Sequence, residues 1–256
     1  MKTYLIEEMT WPDIEAAIGE GTDTIIIPIA SVEQHGLHLP LITDTLIGEA
    51  ISVGLAVELG NALVAPVIRP GCSDHHLTFA GSLSFSDKLL GDIIESYCFN
   101  LKRYGFRNLV LLPCHGGNFD CVARVAARLK IEFDAKGVNV IALTDRDGFL
   151  HAFSDPLSSY GFNFDQVGIH AGLGETSMMM ALRPDLVRED RFQAGFVGEI
   201  DVSSLLKGGV RAVSENGILG DPRGSTAEMG RKILNHMVTT YADLVRGVTK
   251  NSVVPS

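Results

Sequence analysis

The sequence predicts an α/β fold in which a mostly parallel sheet is covered by helices on both faces. Four short runs rich in Val, Ile and Leu recur between Thr24 and Leu143, and helical spacing separates them. Strand–loop–helix alternation at this spacing calls for right-handed crossovers and a parallel sheet. A hydrophobic fraction of 46% and a mean hydropathy of +0.20 fit strands buried on both sides, with apolar surface left for an oligomer interface.

The elements follow in order. Thr10-Trp11-Pro12-Asp13 reads as a helix start, with Thr10 as cap and Pro12 in the first turn, and Gly19 and Gly21 end it. Thr24 to Ala30 is a β-branched run suited to a central strand. Asp44 opens a helix through about Leu59, its apolar positions at Ile47, Ile51, Leu55 and Val57. Leu63 to Ile68 is the second strand and Ser86 to Tyr104 its helix; Asn108 to Leu112 is the third, followed by a helix from Asn118 to Ala135. Val138 to Leu143 is the fourth strand. Residues 147–169, rich in Gly, Ser, Asp and Phe, read as a long loop and a candidate lid. A helix from about Gly172 to Leu182 stops before Pro184. Glycines punctuate 190–222, where a short hairpin is expected, and Asp221-Pro222 starts a last helix to about Arg246. No repeat or low-complexity linker appears, so residues 1–256 are taken as a single domain.

Composition removes several classes of function. A formal net charge of −10 and the absence of a basic run exclude a nucleic-acid surface. No apolar stretch is long enough to span a bilayer, and no signal-peptide core is visible. Cys72, Cys98, Cys114 and Cys121 form no CxxC pair and read as reduced thiols of a cytoplasmic protein.

The unusual polar residues follow the strands, where ligands of open α/β sheets bind. Glu33, His35, His38 and Asp44 crowd into twelve positions after the first strand. Glu33 and His35, two apart in an extended segment, point the same way. A loop of hydrogen-bonded side chains would accommodate one of them. Burying all four is costly unless a cation neutralises them. After the third strand comes Cys114-His115-Gly116-Gly117-Asn118, whose glycines permit a sharp turn and whose Asn118 is placed to cap the next helix. Backbone N–H groups from Gly116 to Asn118 are candidates to hold an oxyanion. His170-Ala171-Gly172-Leu173-Gly174-Glu175 leads into the helix of Met178 to Leu182. Its glutamate is either a helix-dipole partner or a further metal ligand. Ser73, Asp74, His75 and His76 reach the same sheet edge, the histidines as groups facing substrate or supporting a ligand. No GxSxG elbow, GxGxxG or P-loop is present.

Together these pieces resemble the creatininase (creatinine amidohydrolase) family, in order, from about Pro28 to Gly230. They are Ser31-Val32-Glu33-Gln34-His35-Gly36, His38-Leu39-Pro40, Thr43-Asp44, Ser73…His75-His76…Phe79…Gly81, His115-Gly116-Gly117-Asn118, His170-Ala171-Gly172…Glu175-Thr176-Ser177 and Gly220-Asp221-Pro222. The resemblance implies a three-layer αβα fold and one or two divalent ions per chain, zinc, manganese or iron. It also implies a homo-oligomer, commonly a hexamer. By motif, Glu33 and His115 would bind one metal and His35 the second, with Asp44 bridging. Glu175 would replace a family glutamate whose position here is Gly117, and His170 matches the catalytic histidine. The expected activity is hydrolysis of a C–N amide bond in a small substrate, such as a cyclic amide or formamide, by metal-activated water. The alternatives are cleavage of a cyclic keto-sugar or lactone at the same centre, and a metal-stabilised binding protein without turnover. The family's creatinine-cleaving enzyme uses tryptophans on its active-site loops. Trp11 is the only tryptophan here and Asp74 stands where relatives carry proline, so creatinine itself is not expected as substrate.

Overall fold

The computed structural model describes residues 3–162, 164–200, 205 and 207–251. Four strands form the sheet: β1 (Thr24–Ile29), β2 (Ala62–Val64), β3 (Asn108–Pro113) and β4 (Asn139–Ala142). Their order is β2-β1-β3-β4 and every pair is parallel. Thr24 to Ile29 pair residue by residue with Asn108 to Pro113, and all twelve are buried.

Alternation along β1 divides the core in two. Ile26 packs with α2 (Thr43–Leu59), α5 (Arg146–Ser158), α7 (Leu173–Leu182) and α9 (Ala227–Asn251). Ile25, Ile27 and Ile29 pack with α1 (Trp11–Gly19), α3 (Asp87–Tyr104) and α4 (Phe119–Asp134). Three layers result, as the alternation predicts.

Sequence signals account for most boundaries. Thr10 and Asp13 form the expected box at α1, the Thr10 N–H donating to Asp13 Oδ2 at 3.1 Å. Ser86 Oγ caps α3 by accepting from the Leu89 N–H. Gly60 and Gly105 end α2 and α3 in the left-handed conformation. β2 is shorter than the apolar run suggests, because Pro66 has no N–H for the ladder. Pairing resumes only as an isolated bridge between Ile29 and Ile68.

Three expectations are corrected. Residues 147–169 are no loop: α5 occupies Arg146–Ser158 and a short α6 occupies Phe164–Val167. Asp145 caps α5, its Oδ1 accepting from the Gly148 N–H at 3.1 Å, and Phe149, Ala152, Phe153 and Leu157 recur at helical spacing against the core. The polar and glycine content that reads as a loop lies on the outer face. The hairpin in 190–222 is not formed by the described residues; Leu219 instead bridges both Phe196 and His170, and one turn of helix, α8, spans Val210–Val213. Finally, Asp221 does not start the last helix. It pairs with Arg223 at 2.7 Å, and α9 begins at Ala227 and continues past Arg246 to Asn251.

Candidate metal centre

The chain reverses direction across the sheet between β1 and β3, so the ligand crevice lies beyond their carboxyl ends. Both loops leaving that crevice deliver side chains of ligand type. Glu33, His35 and Asp44 each offer an atom within 4.8 Å of the others, as do His35, His170 and Glu175, and Glu33, His76 and His170. Glu33 and His35 are completely buried.

Asn118 fixes this crevice by a route other than capping. Its Nδ2 donates to the carbonyls of Ile29 and Ala30 at 3.0 Å each, and its Oδ1 accepts from the Cys72 N–H at 2.9 Å. One amide thereby ties the loops after β1, β2 and β3 together, and its side chain makes no cap bond to α4. Gly117 lies beneath, where a Cβ would collide with the Cys72 carbonyl oxygen.

The two histidines nearest Asp44 share one orientation. His115 Nε2 lies 3.1 Å from the Cys72 carbonyl and therefore carries the proton. Its bare Nδ1 faces Glu33 Oε1 at 3.2 Å and Asp44 Oδ2 at 3.3 Å. His35 Nδ1 lies 3.1 Å from the Glu33 carbonyl, and its Nε2 faces Asp44 Oδ1 at 3.0 Å and Glu175 Oε2 at 3.7 Å. Each imidazole thus directs a lone pair at carboxylate oxygens, an arrangement that is repulsive until something positive lies between them. Asp44 presents one oxygen to each histidine, while Ser31 Oγ donates to its Oδ2 at 2.7 Å.

Electrostatics follow from this crowding. Burial lowers the basicity of His35, but Asp44, Glu175 and Glu33 outweigh it and raise it to about 10. Burial acts likewise on His115 and is overcome by Glu33 and Asp44, leaving it well above the usual histidine value. Burial pushes the Glu175 carboxyl up to about 7 against the pull of His35. Glu33 and Asp44 are held below the ordinary carboxylate range, because the neighbouring histidines overcome the effect of burial.

Protons on His35 and His115 would relieve the facing lone pairs. They would still leave Glu33 Oε2 buried without a hydrogen-bond partner among the described residues. An isolated buried carboxylate is costly. A divalent cation among Glu33, His35, Asp44, His115 and Glu175 answers both difficulties. The outer N–H anchors on backbone carbonyls are the support that metal-binding imidazoles require.

Glu175 is placed by backbone strain. It lies in the first turn of α7, and its Oε2 accepts from the Ala171 N–H at 2.5 Å. Ala171 has φ 51°, in the left-handed region that side chains disfavour. Gly168 and Gly220 pass too close for a Cβ on either, which lets the His170 segment lie against Leu219.

Gln34 orders the remaining histidines. Its Oε1 accepts from the Gly36 N–H at 2.8 Å, so its Nε2 is the end that contacts His76 Nδ1 at 2.9 Å. His76 Nδ1 accepts that bond, which leaves the proton on Nε2, 3.2 Å from Glu33 Oε1. His170 has the opposite arrangement: its Nε2 donates to the Gln34 carbonyl at 2.8 Å, and its bare Nδ1 stands 3.8 Å from Glu33 Oε1. Burial and the nearby His35 lower His170 to about 3, so it is neutral and able to accept a proton.

All six sequence-predicted site residues, Glu33, His35, Asp44, His115, His170 and Glu175, therefore meet at one centre. His38 does not join them; its Nε2 turns to Thr176 Oγ1 at 2.8 Å. Sequence reasoning gives His76 a place facing substrate or supporting a ligand, and gives Gln34 and Ser31 none. Their signal was position: each lies within a motif containing ligand-type side chains.

The creatininase family model (creatinine amidohydrolase) matches residues 7–245. A mycofactocin precursor peptide peptidase of Mycobacterium tuberculosis (strain CDC 1551 / Oshkosh) is 35% identical over 238 residues, covering 89% of this chain and 85% of that protein. A creatinine amidohydrolase of Pseudomonas putida is 26% identical over 257 residues, covering 96% and 97%. Among solved structures, a mutant creatininase of the Zn-Zn type superposes with a TM-score of 0.83 at 28% identity, over 97% of this chain and 99% of that one. With carboxylates and imidazoles from three loops converging at the switch point of such a sheet, the chain belongs to the creatininase family of metal-dependent amidohydrolases.

Proposed function

We propose that Glu33, Asp44 and His115 hold one divalent ion, that His35, Asp44 and Glu175 hold a second, and that the centre cleaves a C–N amide bond of a small substrate. The observation that carries this reading is the pair of imidazoles whose inner nitrogens face buried carboxylates, beside a Glu33 carboxylate whose Oε2 has no hydrogen-bond partner among the described residues. Mixed nitrogen and oxygen donors suit zinc, manganese or iron. When bound, such ions acidify water and polarise a carbonyl.

The other tasks fall to the chain itself. Asp44 keeps the two ligand sets in register, with one oxygen toward each. His170, neutral and locked by the Gln34 carbonyl, takes a proton at Nδ1 and returns it to the leaving nitrogen. His76 supplies an N–H donor at the opposite side of Glu33. Burial of the cluster removes competing water and strengthens each of these interactions.

We take the whole chain as one domain acting in the cytoplasm, where the four free cysteines stay reduced, and as a homo-oligomer, a hexamer by family resemblance. The relative at 35% identity is named for a peptide substrate, so short peptides come first in a substrate screen. Creatinine comes last, because Trp11 is exposed at the start of α1 and contributes nothing to the centre.

The test is elemental analysis of wild type, Glu33→Ala and His115→Ala, with folding checked by circular dichroism. About one to two ions per chain in wild type, absent from the folded variants, is the expected result. Ion-bound protein is then assayed against peptides, formamides, cyclic amides, lactones and keto-sugars. A folded wild type that takes up no zinc, manganese or iron(II) refutes the reading. Turnover confined to lactones or keto-sugars keeps the ions and replaces the amide.

A further inference from the structure

Residues 33–44 carry two histidines, and only His35 enters the centre. The other, His38, is buried, as is its partner Thr176. His38 Nε2 lies 2.8 Å from Thr176 Oγ1, while Nδ1 has no hydrogen-bond partner among the described residues. A buried N–H without an acceptor is costly, so the ring proton sits on Nε2 and is donated to the Thr176 hydroxyl. The rest of the residue is held firmly. Phe192 meets the ring edge-on with centroids 5.1 Å apart, and the Arg188 N–H donates to the His38 carbonyl at 2.9 Å. Gly36 lies against Nδ1, where a Cβ would press on both that nitrogen and Ile218.

His38 comes three residues after His35, and Thr176 one residue after Glu175. No other side-chain hydrogen bond joins residues 33–44 to α7 among the described residues. Across the same gap His35 Nε2 and Glu175 Oε2 face each other at 3.7 Å. From this placement we infer that His38 is a positioning residue: through Thr176 it sets the separation of His35 from Glu175, and with it the site of the second ion. The inference rests on the two-ion reading proposed above.

The two ligand sets depend on this bond unequally. His115 is anchored elsewhere, its Nε2 on the Cys72 carbonyl at 3.1 Å, and Asp44 accepts from Ser31 Oγ at 2.7 Å. His35 and Glu175 belong to different segments, a loop and a helix, whose register the His38–Thr176 bond fixes. Loss of an outer partner of metal ligands weakens binding by about 10- to 100-fold. Here that loss falls on the second ion and spares the first.

The experiment titrates the full ion-free chain with manganese(II) chloride. Bound ion is counted, and electron paramagnetic resonance distinguishes a coupled pair from isolated ions. Wild type is expected to take two ions and to show the coupled signal. His38→Ala is expected to bind the first ion as wild type does and the second about 10- to 100-fold more weakly, without the coupled signal at the same concentration. Thr176→Val removes the acceptor from the other end and is expected to match it. His38→Gln, whose amide nitrogen stands in for Nε2, and Thr176→Ser, which keeps the hydroxyl, are expected to recover the second ion. Circular dichroism of each ion-free chain verifies folding, and Thr176→Val carries the test if His38→Ala does not fold. Alanine and valine variants that fill both sites like wild type, or lose both ions in equal measure, overturn the inference. So does a glutamine that fails to restore what alanine loses. A wild type that binds no ion, or one ion without a coupled signal, sinks the two-ion reading and the inference with it, before any variant is compared.

Discussion

Gly117 shows how closely the residues of the centre are fitted. A methyl group there meets the Cys72 carbonyl, the His115 ring and the His75 ring at once, so the position cannot carry the glutamate expected of the creatinine-cleaving enzyme. Gly117→Ala is expected to cost about 1–3 kcal/mol of stability and to lower ion content; denaturant titration together with elemental analysis reads both. A variant with unchanged stability and full ion content would show that the Cys72 loop is free to move. The charge states of the histidines give a second prediction. His35, raised to about 10, and His115, raised well above its ordinary value, carry protons at neutral pH in the ion-free chain. Ion uptake must expel those protons, so affinity for zinc rises with pH through the neutral range and about two protons leave per chain. Calorimetry in buffers of different ionisation enthalpy counts them, and a count of zero would contradict the ligand assignment. The six side chains that meet at the centre stand out in the sequence because carboxylates and imidazoles rarely crowd beside buried strands. Gln34 and Ser31 do not, because an amide or hydroxyl in a loop has many ordinary uses until its partners are seen.

At the scale of elements, α5 decides between a moving lid and a fixed wall. Phe149 and Phe153 lie among the core residues, and the Phe153 ring lies against Gly174, one residue before Glu175. Phe153→Ala is expected to destabilise the chain by about 3–5 kcal/mol and to reduce ion retention through α7. Amide exchange in wild type should be as slow across 149–157 as in α7; exchange as fast as in an open loop would restore the lid. The sequence concealed this helix because Gly148, Ser154, Asp155, Pro156 and Ser158 dominate its composition, while the signal lay in four apolar positions. The run at 24–30 was unmistakable for the opposite reason, since every residue from Thr24 to Ile29 is buried and a fully covered strand leaves no polar noise. The segment 190–222 gave no such period. Among the described residues its bridges join Leu219 to Phe196 and, far back along the chain, to His170, pairings that local spacing cannot announce.

For the whole molecule, the proposed ligands come from three regions of sequence, 33–44, 115 and 175, and the ions are expected to hold them together. Chelation should therefore lower thermal stability as well as activity. At a free ion concentration about a thousandfold above the dissociation constant, binding contributes about 4 kcal/mol. Calorimetric scans with and without a chelator measure the loss, and coincident transitions would mean that the ions add nothing to the folded state. Three layers, parallel pairing and the place of the crevice could all be derived from the alternation of elements. The reversal between β1 and β3 could not, since strand order is set by tertiary packing and not by any local pattern.

The backbone of α9 passes so near α7 at Gly230 that a side chain there would strike the Ser177 carbonyl, and Ser225 Oγ and the Thr226 N–H bond directly to α7. The segment that presents Glu175 is thus clamped from behind by α9 and the turn that precedes it. Damage to that clamp is expected to reach the centre through α7 without altering any of the six side chains that meet there.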